Sequence, residues 1–224
     1  MTVDDEAETA PVPDWLIPDW LCGAWVRDGR SIADGPPHEC SDVVWLQVGP
    51  WFADVRLPRP GRAAGHAFDE ARAFSGSLEV LKAGDDGARV TWHHDLDSAG
   101  HPGDPDTAVV TSRDGGLVES GEGYVEWWAR PDVADDHPPL VLAWRPAPAV
   151  DDGPVAARVV CTAGMAVAVW SGPTAGGAWS SAATGWEPAR VVGVLPPGLD
   201  LAHALGAGLT DGRLPAGWHR QEAP

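Results

Sequence analysis

Two adjacent histidines stand in the segment Trp92-His93-His94-Asp95. Histidine is the side-chain type that ionises nearest to physiological pH, so a buried histidine is suited to donate or accept a proton. The surrounding residues alternate between apolar and polar types, which is typical of a β-strand. Because neighbouring strand side chains point to opposite faces, the two histidines are expected to diverge. We expect Val90, Trp92, His94 and Leu96 to share the inner face.

Metal and haem sites are the first alternatives for these histidines. A metal would need ligands from distant residues, because the chain contains no His-x-His pair. Cys22, Cys40 and Cys161 are odd in number and lack C-x-x-C spacing, which argues against a disulfide framework or a zinc site. Haem with His94 as axial ligand has no other support in the sequence. We therefore predict neither a metal nor a cofactor.

A second set of chemical groups lies on a predicted strand over residues 123–130. One of its faces carries Tyr124, Glu126, Trp128 and Arg130. If that face is the inner one, it offers a phenol, a carboxylate and a guanidinium beside an indole, which suits a small molecule with one polar end. An inward Glu126 needs a cationic partner, because an unpaired charge is too costly to bury. The sequence leaves the orientation of this strand open.

Asp54 and Arg56 form a third candidate pair on the predicted strand from Trp51 to Leu57. Side chains two residues apart on a strand share a face, so these opposite charges can pair. They form either a solvated stripe on the outside or an inward ion pair that orients a ligand.

The elements that must position these groups are short strands. Gly, Pro and Asp tracts separate short apolar runs along the whole chain, which is typical of an all-β fold. The longest signal is a hairpin from Ala73 to Ser98 around the turn at 84–87. About ten strands and one late helix, Leu199 to Leu209, predict a single closed antiparallel barrel, with a sandwich as the alternative. We assign 1–13 as a disordered acidic segment and 14–224 as the barrel domain.

Charge excludes several classes of partner. The chain of 224 residues has a net charge of −18 and no basic patch, so neither nucleic acid nor an anionic membrane surface is an expected partner. The first ten residues are acidic rather than basic, and no run of roughly 18 apolar residues occurs. We therefore expect a soluble cytoplasmic protein.

Tryptophan dominates the aromatic composition, with thirteen residues against three Phe and one Tyr. Each buried indole needs a partner for its N–H, so a Trp-rich interior favours a cavity that also contains polar groups. The predicted ligand-binding residues are Trp45, Arg56, Trp92, Trp128, Arg130 and Trp144.

Two motifs carry a resemblance to known barrels. Gly23-Ala24-Trp25 matches the Gly-x-Trp that opens the first strand of lipocalins and related calycins and closes the barrel floor. From 51 to 130, the order WFADVRLPRP, AFSGSLEVLKAGDDGARVTW and ESGEGYVEWW resembles the fungal casein-kinase-interacting calycin-like family. The chain departs from that family at His93-His94 and in its C-terminal half. The resemblance implies a calycin barrel and supplies no catalytic residues.

Three functions follow as hypotheses. The first is a barrel that binds a small, largely apolar molecule with a polar end. The second is a cofactor-independent isomerase, dehydratase or cyclase in the same cavity, with His94 or Glu126 as general acid/base and Tyr124 or Arg130 polarising a carbonyl. The third is a protein-interaction domain that exposes Trp15 and Trp20.

Overall fold

The computed structural model describes residues 17–61, 71–100, 105–132, 137–145, 156–173, 175–186, 188, 190–196, 199–210 and 212–222. The segment 1–13, predicted to be disordered, and Trp15 lie outside these ranges.

The first half of the chain forms eight strands that close into a barrel. They are β1 (Gly23–Ile32), β2 (Ser41–Val48), β3 (Trp51–Pro58), β4 (Arg72–Ala83), β5 (Gly87–Asp97), β6 (Asp106–Arg113), β7 (Gly116–Gly121) and β8 (Tyr124–Ala129). Each strand pairs antiparallel with the next one in sequence, and β8 returns to pair with β1. The closed antiparallel barrel is confirmed.

The second half forms a separate six-stranded antiparallel sheet in the order β13-β12-β11-β10-β9-β14. Its strands are β9 (Leu140–Trp144), β10 (Ala157–Thr162), β11 (Met165–Trp170), β12 (Gly176–Ser181), β13 (Arg190–Val192) and β14 (Trp218–Arg220). A 3-10 turn (Ala182–Thr184) and the helix α1 (Leu201–Leu209) complete the fold. No helix in the described part of the chain has the length and apolarity needed to cross a membrane.

The prediction of about ten strands in one barrel is wrong, and strand β2 shows the reason. Val43 and Trp45 face the barrel core, whereas Val44 and Leu46 face outward into the cluster that also contains Val167 of the second sheet. A strand buried on both faces has a nearly continuous apolar sequence. Apolar strands from about 140 onward therefore look like further barrel strands, although they form a layer that covers the barrel wall.

The two sheets approach closely at Gly177 of β12. A Cβ atom built there would lie 2.3 Å from the Cβ of Ala73 in β4, so only glycine fits this contact. The opposite face of the second sheet packs against α1 through a cluster that includes Trp170, Leu201 and Leu205. Asp200 caps α1 by accepting a hydrogen bond from the His203 backbone N–H at 2.9 Å.

The chain that precedes β1 seals the lower end of the barrel, which we call the floor. Ile17 and Leu21 join the core cluster, and the Trp25 indole N–H donates to the Leu21 carbonyl at 2.9 Å. The Arg130 guanidinium lies 3.5 Å from the centroid of the Trp25 ring and donates to the Trp20 carbonyl at 3.4 Å. These contacts hold the chain before β1 against the floor.

Candidate functional site at the barrel mouth

Tryptophans fill the middle of the barrel. The ring centroid of Trp45 lies 5.8 Å from that of Trp92 and 5.4 Å from that of Trp128, and both contacts are edge-on. The cavity beside them has a volume of about 20 Å³, which is room for about one water molecule. The expected Trp-lined hollow is therefore occupied by the tryptophans themselves, and no guest of drug-like size fits there.

A larger space opens at the upper end of the barrel, which we call the mouth. A pocket of about 640 Å³ is lined by Arg30, Ile32, Arg72, His94, Pro105, Asp106, Thr107, Glu122, Gly123 and Tyr124. These residues come from the C-terminal ends of β1 and β5, the N-terminal ends of β4, β6 and β8, and the adjoining loops. His94 and Asp106 also line the small inner cavity, so the mouth and that cavity adjoin at these two residues.

His94 is the buried polar group at the base of the mouth. Its residue is 7% exposed, and its ring stacks on Phe74 with the centroids 4.5 Å apart. Nδ1 lies 3.5 Å from an Asp97 carboxylate oxygen, within ion-pair range but without a hydrogen bond, and Nε2 likewise has no hydrogen-bond partner. His93 points outward and lies 2.9 Å from the Glu79 carboxylate. The predicted divergence of the two histidines is confirmed.

A β-bulge in β5 brings His94 and Asp97 to the same side. Gly76 of β4 pairs with His94, but the preceding Ser75 pairs with Leu96, so Asp95 is the extra residue. Leu96 consequently faces outward into the cluster shared with the second sheet, which corrects the prediction that it shares the face of His94. Gly76 permits the bulge, because a Cβ there would lie 1.7 Å from the His93 carbonyl oxygen.

Asp97 is an ionised hydrogen-bond acceptor at this site. Burial opposes its ionisation, but the nearby His94 ring and the Arg72 guanidinium outweigh that effect and hold the pKa of Asp97 below its usual range. Arg72 donates through Nε at 3.3 Å and also through Nη2. A carboxylate beside Nδ1 favours a proton on that nitrogen.

Glu126 lies inside the barrel, but ion pairs already engage it. Arg27 donates to one of its carboxylate oxygens at 2.6 Å, and Arg30 lies 3.4 Å from the same oxygen. Glu126 is 1% exposed, so its charge is compensated by the two arginines. Of the two orientations that the sequence left open for β8, the one with Tyr124, Glu126 and Trp128 inward is found.

Sequence analysis missed Arg27 and Arg30 as interior residues. A bulge in β1 between Arg27 and Gly29 shifts the alternation, so both arginines face inward although they are three positions apart. The available signal is Asp28-Gly29, because a glycine within a strand often marks a bulge. Arg27 also contacts Glu39 at 2.7 Å, which links the arginine pair to the segment before β2.

Glu119 of β7 is a second interior residue that the sequence analysis did not select. It accepts hydrogen bonds from the Tyr124 hydroxyl at 2.8 Å and from the Trp128 indole N–H at 3.1 Å. Burial, together with the nearby charge of Glu126, raises the pKa of Glu119 to about 8. Glu119 is therefore largely protonated at neutral pH. The available signal in the sequence is its position two residues after the buried Leu117, because residues two apart on a strand share a face.

The remaining predicted residues fall in different places. Arg56 faces inward and pairs with Asp54 at 3.0 Å, so the inward alternative for that pair is found. Arg130 lies at the floor over Trp25, far along β8 from the mouth. Trp144 belongs to β9 and packs with the cluster under α1. Trp20 is partly buried and packs against the barrel core. Arg130 and Trp144 are thus not brought together with His94.

Comparisons with known proteins give a likeness of fold. No protein-family model matches the chain, and no curated protein matches it significantly. Among solved structures, the chain is similar to the uncharacterized protein YLR301w from Saccharomyces cerevisiae, with a TM-score of 0.56 over 80% of this chain and 90% of that one. The sequence identity is 12%, so the likeness extends to the fold alone.

Proposed function

We propose that this protein binds a small molecule at the barrel mouth, with the polar end of the ligand hydrogen-bonded to His94. The observation that carries the proposal is the His94 Nε2 atom, which is buried, has no partner and belongs to a residue that lines the pocket. Buried polar atoms in folded proteins nearly always have a partner, so an orphan on a pocket wall marks a place for one. A volume of about 640 Å³ is within the usual range of small-molecule sites.

The position of Asp97 defines which ring nitrogen is left for the ligand. Asp97 lies 3.5 Å from Nδ1, so Nε2 is the nitrogen left for the ligand, and a hydroxyl or amide group can pair with it. The exposed Asp106 and Glu122 at the rim disfavour a strongly anionic ligand. Ile32, Pro105 and Tyr124 offer the less polar wall for the rest of the molecule.

We also infer that the barrel is of the calycin type. Eight strands in up-and-down order, Gly23-Ala24-Trp25 at the start of β1 and a segment packed across the floor support this assignment. Eight-stranded barrels of this size either fill their interior or hold one small ligand. The present barrel does both at different heights, since the tryptophans fill its middle and the mouth stays open.

The direct test is a screen of neutral fragments that carry a hydroxyl or amide group, read by backbone amide chemical shifts. Hits should perturb Gly123, Thr107 and neighbouring residues at the mouth. His94→Phe keeps the stack on Phe74 and removes Nε2, so affinity should fall by about tenfold, the value of one hydrogen bond to a buried group. His93→Phe is the matched control on the outer face and should bind normally. Hits that bind elsewhere, or that bind His94→Phe as tightly as the unaltered protein, would refute the proposal.

A second candidate function is proton transfer by a cofactor-independent isomerase, dehydratase or cyclase. The specific observation is the Asp97 carboxylate 3.5 Å from Nδ1 of His94, together with the unpartnered Nε2, since a carboxylate beside one ring nitrogen of a histidine supports the other nitrogen as a general base. Glu126 is less suited to this role, because Arg27 and Arg30 engage it.

Catalysis is separated from binding by hydrogen exchange. Carbonyl fragments that bind at the mouth are incubated in D₂O, and exchange of their α-hydrogens is followed by NMR. Asp97→Asn should slow enzyme-promoted exchange by about 10²-fold or more but weaken affinity by about tenfold at most, because general-base catalysis depends on the carboxylate beside His94 more strongly than one hydrogen bond to the ligand does. Exchange at the uncatalysed rate with the unaltered protein would leave binding as the function and rule out this reaction for those fragments.

A further inference from the structure

A buried cation links the second sheet to the barrel wall behind the mouth. Arg158 of β10 is 2% exposed, and its guanidinium lies 4.6 Å from the centroid of the Trp51 ring. Nη2 donates to the Asp95 carboxylate at 2.7 Å, and Nε donates to the Gln221 side-chain oxygen at 3.0 Å. Nη1 donates to the Ser75 hydroxyl at 3.4 Å. The polar edges of this guanidinium are thus directed to specific partners.

Two of those partners lie at the β5 bulge, one in β5 and one in the neighbouring β4. Asp95 is the extra residue of the bulge, and Ser75 is the last residue of β4 before the register shifts at Gly76. At the bulge, two consecutive side chains of β5 face the second sheet: Asp95 contacts Arg158, and Leu96 packs in the shared apolar cluster. Because Asp95 and Leu96 both face outward, the residues on either side of them, His94 and Asp97, both face the barrel interior.

Regular alternation would break the pair in either of two ways. If the strand kept His94 inside without a bulge, Leu96 would enter the barrel and Asp97 would leave it. If it kept Leu96 outside and Asp97 inside, Asp95 would point inward and His94 outward. Packing of Leu96 against the second sheet opposes the first alternative. The ion pair between Arg158 and Asp95 opposes the second, because Asp95 must stay on the outer wall to reach Arg158.

We propose that Arg158 is a positioning residue for the mouth site: by holding Asp95 on the outer wall, it keeps His94 facing the pocket on the same side as Asp97. The inference rests on the proposed function of the mouth and adds a role for the second sheet, which contributes no residue to the pocket lining. Removal of the Arg158 guanidinium should shift β5 toward the register in which His94 leaves the pocket. The pocket would then lose the buried, unpartnered Nε2 atom of His94.

The test follows the His94 ring by nitrogen NMR on protein labelled at histidine. In the unaltered protein, the His94 ring should show a single set of nitrogen shifts and an N–H that is protected from solvent exchange, as expected of a buried side chain beside Asp97. Arg158→Met should abolish that signature. Arg190→Met is the matched control, because Arg190 also joins the second sheet to the barrel through Asp42 but lies away from the bulge, and it should leave the signature unchanged. Arg158→Lys, which retains the charge, should restore part of it.

A second variant guards against misfolding of Arg158→Met. Asp95 is half exposed, with 46% of its side chain accessible, so Asp95→Ala should fold while removing the same ion pair from the barrel side. If the folded variants at 158 and 95 retain the His94 signature, Arg158 is only structural and the proposal is wrong. Because this measurement requires no ligand, a failed fragment screen would overturn the proposed function without affecting the result for Arg158.

Discussion

The floor half and the mouth half of the barrel are built from the same strands but from different chemistry. In β3, Phe52 at the floor side belongs to the apolar core, and Arg56 four residues later lies toward the mouth. In β8, Trp128 belongs to the core, whereas Tyr124 lines the mouth pocket. The comparison indicates that one strand of six to eight residues is long enough to supply both a stabilising end and a binding end.

The two halves also meet the cost of burial differently. The floor half buries indole and aliphatic surface, which is favourable at about 25 cal/mol per Å². The mouth half buries charged groups, each of which must be paired or neutralised. Glu126 lies between Arg27 and Arg30, Arg56 pairs with Asp54, and Glu119 takes up a proton. We therefore expect changes at the floor to alter stability most, and changes at the mouth to alter binding and pH dependence.

The largest effect on stability should come from Trp25→Ala at the floor. Trp25 is 2% exposed and contacts Leu21, Arg130 and Trp45, so the truncation leaves a cavity that its neighbours cannot fill. Loss of about 3–5 kcal/mol in the free energy of unfolding is expected, measured by urea denaturation. His94→Phe at the mouth is the comparison and should cost far less. Equal costs at the two positions would mean that the halves do not differ as described.

The barrel was predictable from the sequence because its strands alternate regularly over most of their length. Val90 and Trp92 in β5 and Tyr124, Glu126 and Trp128 in β8 each occupy a single face, as period two requires. Alternation cannot reveal how many layers cover a strand that is apolar on both faces. The second sheet therefore could not be separated from the barrel by pattern alone.

An intermediate effect should appear in the pH dependence of Glu119→Gln. The pKa of Glu119 is raised to about 8 in the folded protein, so its contribution to stability is complete below the unfolded-state pKa and is lost as pH rises toward 8. Glutamine mimics the neutral acid and cannot ionise. The difference in the free energy of unfolding between the variant and the unaltered protein should therefore rise by about 2–4 kcal/mol in favour of the variant between pH 5 and pH 8.

The measurement is urea denaturation at several pH values in that range. Glu122→Gln, which changes an exposed residue on the adjacent turn, is the control. Its free energy of unfolding should vary with pH as that of the unaltered protein does. If the free energy of unfolding of Glu119→Gln shows the same pH dependence as that of the unaltered protein, Glu119 is ionised in the folded barrel. The interior of the mouth half then carries one more charge than we infer.

The mouth site itself was only partly predictable, because two bulges define it. His94 was selected correctly as the inward histidine, but strict alternation from His94 puts Asp97, three positions later, on the opposite face, although the structure brings the two together. Arg27 and Arg30 were overlooked for the same reason. A bulge depends on contacts between distant parts of the chain, such as Arg158 with Asp95, and these contacts leave no local periodic signal.

The smallest effect is expected from Arg130→Met at the floor. The guanidinium of Arg130 lies over the Trp25 ring and donates to the Trp20 carbonyl, a partly exposed cation–π contact worth about 1 kcal/mol. Methionine keeps much of the packing and removes the charge, so unfolding should occur at a slightly lower urea concentration. Arg113→Met on the exposed β6–β7 turn is the matched control and should be neutral. Fragment affinity at the mouth should be unchanged in both variants, because the packed tryptophans separate the floor from His94. A change in affinity with Arg130→Met would show that the tryptophan layer transmits strain between the two halves, and that floor and mouth cannot be treated as independent parts.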